Sequence, residues 1–413
     1  MNTARFIARK LSENGVVKGR LSTVSNYIAW ISVALSIAIM IIAISIVGGF
    51  KSEIRGKAAG FMGSVILVPP GQTPLNEKYP FKEPLSYKES IADLKYVESI
   101  NSVAYRSGLI KTEDNINGVY FKGIDSLYNL SFFKSALVRG QLPDYSGKLG
   151  NDILISGRLA ALMGYELGDQ VLSYFIGDDV KVRKFTIVGV FDAQLDDIDK
   201  TIIVVDKRHI QRLNGWDTNQ ASCVEIRIDN DKNIDDAAEE IENMVFTSST
   251  DDDPSLFVTS ISKFYSHLFD WLALLDLNVL MVLLLMIAVA GFNMISAILI
   301  ILFEKISMIG LLKSLGMTNR GVSKVFLYRA LYIVGKGVVW GNVAACAVCM
   351  LQKYFKIITL NPDNYFVKYV PIKSDLGQIL LLDAGSIVLI MLILSLSTIF
   401  ISRVSPDKTL RVN

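Results

Sequence analysis

Four long apolar runs mark the chain, and a polar stretch over residues 51–271 separates the first from the second. The runs are Tyr27–Phe50, Leu277–Phe303, about Tyr328–Leu351 and about Ile379–Ser402. Each approaches or exceeds the ~20 residues that carry a helix across a bilayer. The first two contain no Asp, Glu, Lys or Arg. The pattern predicts an α-helical membrane protein with four transmembrane helices and a large α+β extracytoplasmic domain inserted between helices 1 and 2. It suggests a cytoplasmic amphipathic arm at 1–26, in which Phe6, Ile7 and Leu11 alternate with basic residues, and a first transmembrane helix at 27–50. The folded domain with its stalks follows at 51–271. Transmembrane helices 2–4 occupy 272–413, with a cytoplasmic coupling helix at 304–316 and a tail.

Inside the polar stretch the periodicity switches between two and 3.6 residues, as expected of strands interleaved with short helices. Ser64–Val68, Asp152–Ser156, Val182–Phe191, Thr201–Val205, Val224–Ile228 and Phe257–Thr259 read as strands. Glu89–Tyr96, Arg158–Met163 (stopping at Gly164) and about Ile234–Phe246 read as helices. Both flanks of the domain look helical beyond the apolar runs. The first continues through Gly49-Phe50-Lys51-Ser52-Glu53-Ile54 to about Ala59, and the second begins near Ile261 and runs to Phe303 without a proline. Such stalks suit the transmission of movement between a domain and a helical bundle.

Composition sharpens the picture. The chain is 51% hydrophobic with mean hydropathy +0.39, yet 20% of its 413 residues are charged, so the charges concentrate outside the spans. A net charge of +2 gives no nucleic-acid footprint. Lys and Arg near helix ends set orientation. Arg5, Arg9, Lys10, Lys18 and Arg20, then Lys305, Lys313, Arg320 and Lys324, then Arg403, Lys408 and Arg411 share one face of a four-span chain. That face is expected to be cytoplasmic, with both termini on it.

Several chemistries are weighed and set aside. There is no G-x-x-x-x-G-K-[ST] loop, so ATP binding by this chain is not expected and any ATP dependence must come from a partner. Asp229, Asp231, Asn233, Asp235 and Glu240 have calcium-loop spacing, but Ile234 stands where the sharp turn needs glycine, and Asn233 suits a helix cap. Cys346-x-x-Cys349 lies within a span beside Gly337-x-x-x-Gly341, where small residues serve helix packing. His209 and His267 are the only histidines, and neither belongs to a nucleophile–base pattern. Lys336 and Asp383 sit one or two turns inside their spans, where snorkelling toward the headgroups accounts for both. No catalytic residue, metal site or cofactor is predicted.

The segment Glu304-Lys305-Ile306-Ser307-Met308-Ile309-Gly310-Leu311-Leu312-Lys313-Ser314-Leu315-Gly316 reads as a short amphipathic helix closed by a C′ glycine, with Thr318 or Asn319 capping the next helix. It resembles the cytoplasmic coupling region of the FtsX/MacB/LolC-LolE group of ABC-transporter permeases. Further motifs agree in order along the chain. Gly49-Phe50 with Glu53 resembles the group's stalk start. Ile155-Ser156-Gly157-Arg158-Leu159-Ala160 with Leu162, Gly164 and Gly168-Asp169 resembles its domain motif, and Phe185–Phe191 the strand after it. Tyr365-Phe366 with Pro371 resembles the lipoprotein-releasing branch, and Ser405-Pro406 with Leu410-Arg411 the group's closing motif.

The resemblance implies a bacterial inner-membrane permease whose 51–271 domain is MacB-like. It also implies a cytoplasmic ABC ATPase dimer, a second permease copy or paralogue and a lipoprotein substrate as partners, and leaves a periplasmic carrier open. ATPase coupling is expected at Glu304, Lys305, Ile309, Leu312, Lys313 and Gly316. An acyl-binding cleft is expected at Met40, Ile44, Val47, Phe50, Leu277 and Met281. Two departures stand out: Met308 where members often carry an acid, and a short Ser173–Lys184 segment where carrier-recruiting members have a longer hairpin. The alternatives are a signalling scaffold controlling periplasmic hydrolases and an efflux permease with a separate ATPase.

Overall fold

The computed structural model describes residues 20–113, 115–177, 179–229 and 233–401. Most of the N-terminal arm, and the closing motif at 405–411, lie outside the described residues. The chain divides into two compact units, one formed by Ser52–Trp271 with Leu360–Lys368, the other by the remainder. The sequence boundaries grouped all of 272–413 together; the segment Leu360–Lys368 instead clusters with the inserted domain.

In the helical unit, four helices are long and apolar enough to cross a membrane among the described residues: Asn26–Met62, Ser266–Glu304, Asn319–Phe355 and Leu376–Leu396. Their shared core includes Val33, Ile37, Met40, Ala290, Met294, Ile298, Ala330, Val334 and Ile390. Gly337 and Gly341 permit a close crossing with the first helix. A methyl group at Gly337 would lie 2.6 Å from Val33, and one at Gly341 would lie 2.7 Å from the Ala34 carbonyl oxygen. The small-residue reading of this stretch therefore has a named partner surface.

The first long helix runs unbroken from Arg20 to Met62 and ends at Gly63, whose φ of +77° suits a residue without Cβ. The expected continuous start of the second stalk is corrected. A short helix Ile261–Phe264 is followed by a break at Tyr265, and the long helix begins at Ser266. Tyr265 leaves helical geometry while its ring packs on Phe264 and its hydroxyl approaches the Met62 sulfur at 3.4 Å.

The domain's strands are β1 (Val65–Val68), β2 (Phe81–Lys82), β3 (Val97–Lys111), β4 (Ile116–Ile124), β5 (Leu137–Gly140), β6 (Asp152–Ser156), β7 (Gln170–Phe175), β8 (Lys181–Phe191), β9 (Ile202–Asp206), β10 (Gln220–Ala221), β11 (Cys223–Ile228) and β12 (Phe257–Ser260). The main sheet runs β12-β1-β11-β3-β4-β9-β6-β8-β5, and β7 pairs with both β3 and β8. The pairings β3-β4-β9-β6-β8-β7 thus close on themselves. Only β4–β9 and β6–β8 are parallel. Strands buried on both faces divide their side chains between two cores. Ile153, Ile155, Ile203 and Val205 join one core with Phe121, Phe175 and Phe185. Leu154 and Val204 join the other with Phe61, Phe133 and Phe191.

Candidate functional site

The sequence-predicted coupling segment forms the helix Ile306–Ser314. Its end is a Schellman arrangement. Gly316 takes φ +90°, its N–H donates to the Lys313 carbonyl at 3.0 Å, and the Met317 N–H donates to the Leu312 carbonyl at 3.0 Å. Thr318 then caps the next helix by accepting from the Gly321 N–H at 3.2 Å. These two devices fix where the short helix stops and where the next begins.

No residue of this helix is buried. Ile309 packs against the helical core, Leu312 and Lys313 are half-buried, and Gly316 is exposed. The outward apolar residues are Leu311 and Leu315, 61% and 76% exposed, one helical turn apart. Sequence reasoning chose Ile309 and Leu312 and passed over this pair; the i, i+4 spacing of Leu311 and Leu315 was the available signal. Glu304 and Lys305 form a half-buried ion pair at 3.8 Å.

The predicted acyl-binding residues do not form one open surface. Met40 is fully buried in the helical core and Phe50 is buried, while Ile44 and Val47 are half-buried. Leu277 and Met281 are exposed. Nearby, Lys51 pairs with Asp276, joining the first and second long helices within the helical unit. Gly49, at the expected stalk start, abuts the backbone of Pro371, and the Lys373 N–H donates to the Ser45 carbonyl at 3.0 Å.

The interior charges are placed as follows. Asp383 accepts from the Asn342 side chain at 2.8 Å across neighbouring helices, so it has a protein partner and does not depend on snorkelling. The Lys336 ammonium lies over the Tyr332 ring at 4.8 Å. Asn233 spends its side chain capping the helix Ile234–Ser248, and the Asp235 carboxylate accepts from Ser260 and Ser262, so both groups serve local structure. Asp231 lies outside the described residues. Cys349 is buried and Cys346 exposed on the third long helix. His209 is buried against Phe185, with Nε2 donating to the Gly150 carbonyl at 2.9 Å; burial lowers its pKa.

Two clusters in the domain escaped sequence reasoning. Lys122 on β4 and Glu225 on β11 form a fully buried ion pair at 2.6 Å. The Tyr105 and Tyr128 hydroxyls donate to the same carboxylate at 2.8 and 3.0 Å, and the Lys122 ammonium also donates to the Phe61 carbonyl in the last turn of the first long helix. A cation there satisfies an orphan carbonyl and complements the helix dipole. Burial lowers the Lys122 pKa, and the Glu225 carboxylate opposes that. One charged residue in the middle of each apolar strand, Tyr120-Phe121-Lys122 and Val224-Glu225-Ile226, was the signal. In the second cluster, the Lys57 ammonium donates to the Gln194 side chain at 2.7 Å and the Phe366 carbonyl at 2.8 Å, while Lys368 pairs with Asp192 at 2.9 Å. These contacts explain why Leu360–Lys368 belongs with the domain.

β7 and β8 pair antiparallel out to Phe175 and Lys181, so the short Ser173–Lys184 segment is mostly paired strand among the described residues.

Residues 28–244 match the family model of the MacB-like periplasmic core domain, and residues 280–406 match that of the FtsX-like permease C-terminal region. The chain is similar to the lipoprotein-releasing system transmembrane protein LolC of Neisseria meningitidis, 22% identical over 86% of each chain. It is also similar to LolC of Xylella fastidiosa, 21% identical over 92% of each, and to LolE of Haemophilus influenzae, 21% identical over 90% of each. Among solved structures, the periplasmic region of MacB from Actinobacillus actinomycetemcomitans matches with TM-score 0.33 and 12% identity, over 49% of this chain and 91% of that one.

Proposed function

Because the chain belongs to the FtsX/MacB/LolC-LolE group of ABC-transporter permeases, we propose that it is the permease subunit of an ATP-driven machine that extracts acylated lipoproteins from the bacterial inner membrane. In this reading the helix Ile306–Ser314 receives force from a cytoplasmic ATPase dimer, and the domain acts on the far side of the bilayer. A second copy or a paralogue completes the permease pair, and both termini of the chain are cytoplasmic.

The observation that supports it is the first long helix. It runs through Arg20–Met62 without interruption, and its last turns are part of the domain core. Ala58, Phe61 and Met62 are fully buried there, and Lys122 holds the terminal turn. A helix anchored this way passes displacement to the domain as a rod passes it to a socket; a flexible linker would absorb it.

Reconstitution of the chain with its ATPase in proteoliposomes tests the reading. ATP-dependent release of a triacylated lipoprotein is the expected result. Leu312→Asp, or Leu311→Asp together with Leu315→Asp, should leave hydrolysis running while release falls. Unchanged release in both variants excludes this helix as the coupling element, and hydrolysis with no release by the native complex excludes lipoprotein extraction.

The short connection between β7 and β8 favours a second reading, a signalling scaffold that needs no carrier. Activation of a periplasmic hydrolase in the same reconstituted system, without lipoprotein release, would select it.

A further inference from the structure

The domain holds an apolar pocket of about 350 Å³ that none of the roles above uses. Leu195 and Ile198 form one wall, Leu268 and Trp271 a second, and Phe366 a third. The Trp271 and Phe366 rings meet edge to face at 5.9 Å. His267 and Asn364 supply the polar rim, and among the described residues no charged side chain lines the space. Its volume lies in the range of small-molecule sites, roughly 300–1,000 Å³.

Two walls carry a conformational cost. Gln194, beside Leu195, has φ +62°, and Phe366 has φ +58°. They are two of the three non-glycine residues with positive φ among the described residues. Both are fixed by the same Lys57 ammonium, through the Gln194 side chain and the Phe366 carbonyl. Backbone strain of this kind persists where surrounding structure over-determines it, and it gathers at ligand clamps. Lys57 thus ties the segments that carry two walls of the pocket to a single point.

The lining selects the ligand. Aromatic faces and branched aliphatic side chains make up most of the lining, which suits a hydrocarbon chain. The chain path says where such a ligand comes from. Leu268 and Trp271 lie on the helix Ser266–Glu304, and from Leu272 onward that helix is apolar enough to cross a bilayer. We propose that this pocket takes one aliphatic acyl chain, from a membrane lipid or from an acylated protein. The acylated-protein source rests on the function proposed above; the lipid source does not.

The test uses the full chain in vesicles, photolabelled with a phospholipid carrying a diazirine in its acyl chain, and in a second arm with a triacylated lipopeptide bearing the same group. Mass spectrometry of the adducts should find label at Leu268, Trp271 or Phe366. Ile198→Trp, which fills the pocket, should lower that labelling about tenfold while label at the exposed Leu277 and Met281 stays constant. Lys57→Met, which releases both walls, is the second variant and should do the same. Label from phospholipid identifies a lipid chain; label from lipopeptide alone identifies acylated cargo. Label confined to Leu277 and Met281 in both arms, or pocket label indifferent to both variants, overturns the proposal. Lipoprotein release without pocket labelling would sink this inference alone, and pocket labelling by phospholipid without release would sink only the transport reading.

Discussion

Gly49 and Pro371 touch through their backbones: a methyl group at Gly49 would lie 2.3 Å from the Pro371 carbonyl oxygen. Gly49 lies well inside a helix, where glycine normally costs up to about 1 kcal/mol against alanine. Its presence there is explained by the polypeptide that crosses it. Gly49→Ala should therefore destabilise the detergent-solubilised chain by about 1–3 kcal/mol, the usual scale of overpacking. Gly310→Ala, where nothing lies within 4 Å, is the control and should be neutral or stabilising. Thermal unfolding of the two variants decides it, and a raised midpoint for Gly49→Ala would show that the contact does not bear on stability.

The same logic separates two glycines of the third long helix. Gly335 has open space around it, whereas a methyl group at Gly341 would lie 2.7 Å from the Ala34 carbonyl oxygen and 2.8 Å from the Ile37 Cβ. Gly335→Ala should be tolerated. Gly341→Ala should push the first and third helices apart, lowering the unfolding midpoint and slowing disulfide formation between cysteines introduced at Ala34 and Val338. Equal behaviour of the two variants would remove the close crossing.

The helical framework was legible because membrane helices announce themselves by length and hydropathy. The short strands Asp152–Ser156 and Lys181–Phe191 were legible because turn residues bound them. The longest strand, β3, was missed. Its sequence, Val97–Lys111, mixes polar and apolar residues without strict alternation because β11 pairs with its first half, β4 with its second, and β7 with Leu109 and Ile110 alone. The break at Tyr265 was missed because no proline or glycine marks it; a tertiary contact with Met62 accompanies it. The helix Ile306–Ser314 was read from local caps, which the chain carries in Gly316 and Thr318. The Lys57 cluster was beyond reach, since its partners Gln194 and Phe366 are far away in sequence and meet only in the folded domain.

Lys122 and Glu225 are expected to behave as one unit. Lys122→Met leaves a buried carboxylate with only the two tyrosine hydroxyls, and Glu225→Gln leaves a buried ammonium facing the Phe61 carbonyl and Tyr128. Each single change should cost about 3–5 kcal/mol, while the double change should cost clearly less than the sum. Chemical denaturation followed through Trp216, which packs on the neighbouring core, reads the difference. Strict additivity would mean that the two side chains do not interact.

Asp199 predicts a pH dependence of opposite sign to that of an ordinary paired carboxylate. Burial, reinforced by the nearby Asp192, raises its pKa from 3.8 to about 6, against the pull of backbone N–H donors at Leu195 and Gln194 and of Arg158. Between about pH 4 and pH 6 the folded chain retains a proton that the unfolded chain has already released. The favourable contribution is complete below the unfolded pKa, shrinks as pH rises through this window, and is gone above the folded pKa. The full swing is on the order of 3 kcal/mol at most. Denaturant midpoints measured at pH 5 and pH 7.5 should therefore show a domain that is weaker at the higher pH through this group. Asp199→Asn mimics the protonated acid and keeps an oxygen for the Leu195 N–H, so it should stabilise the chain at pH 7.5 and flatten the profile. Asp192→Asn should flatten it partially, because it removes the second cause and leaves the first. A profile that Asp199→Asn leaves unchanged would show that this carboxyl is ionised at pH 5 in the folded chain.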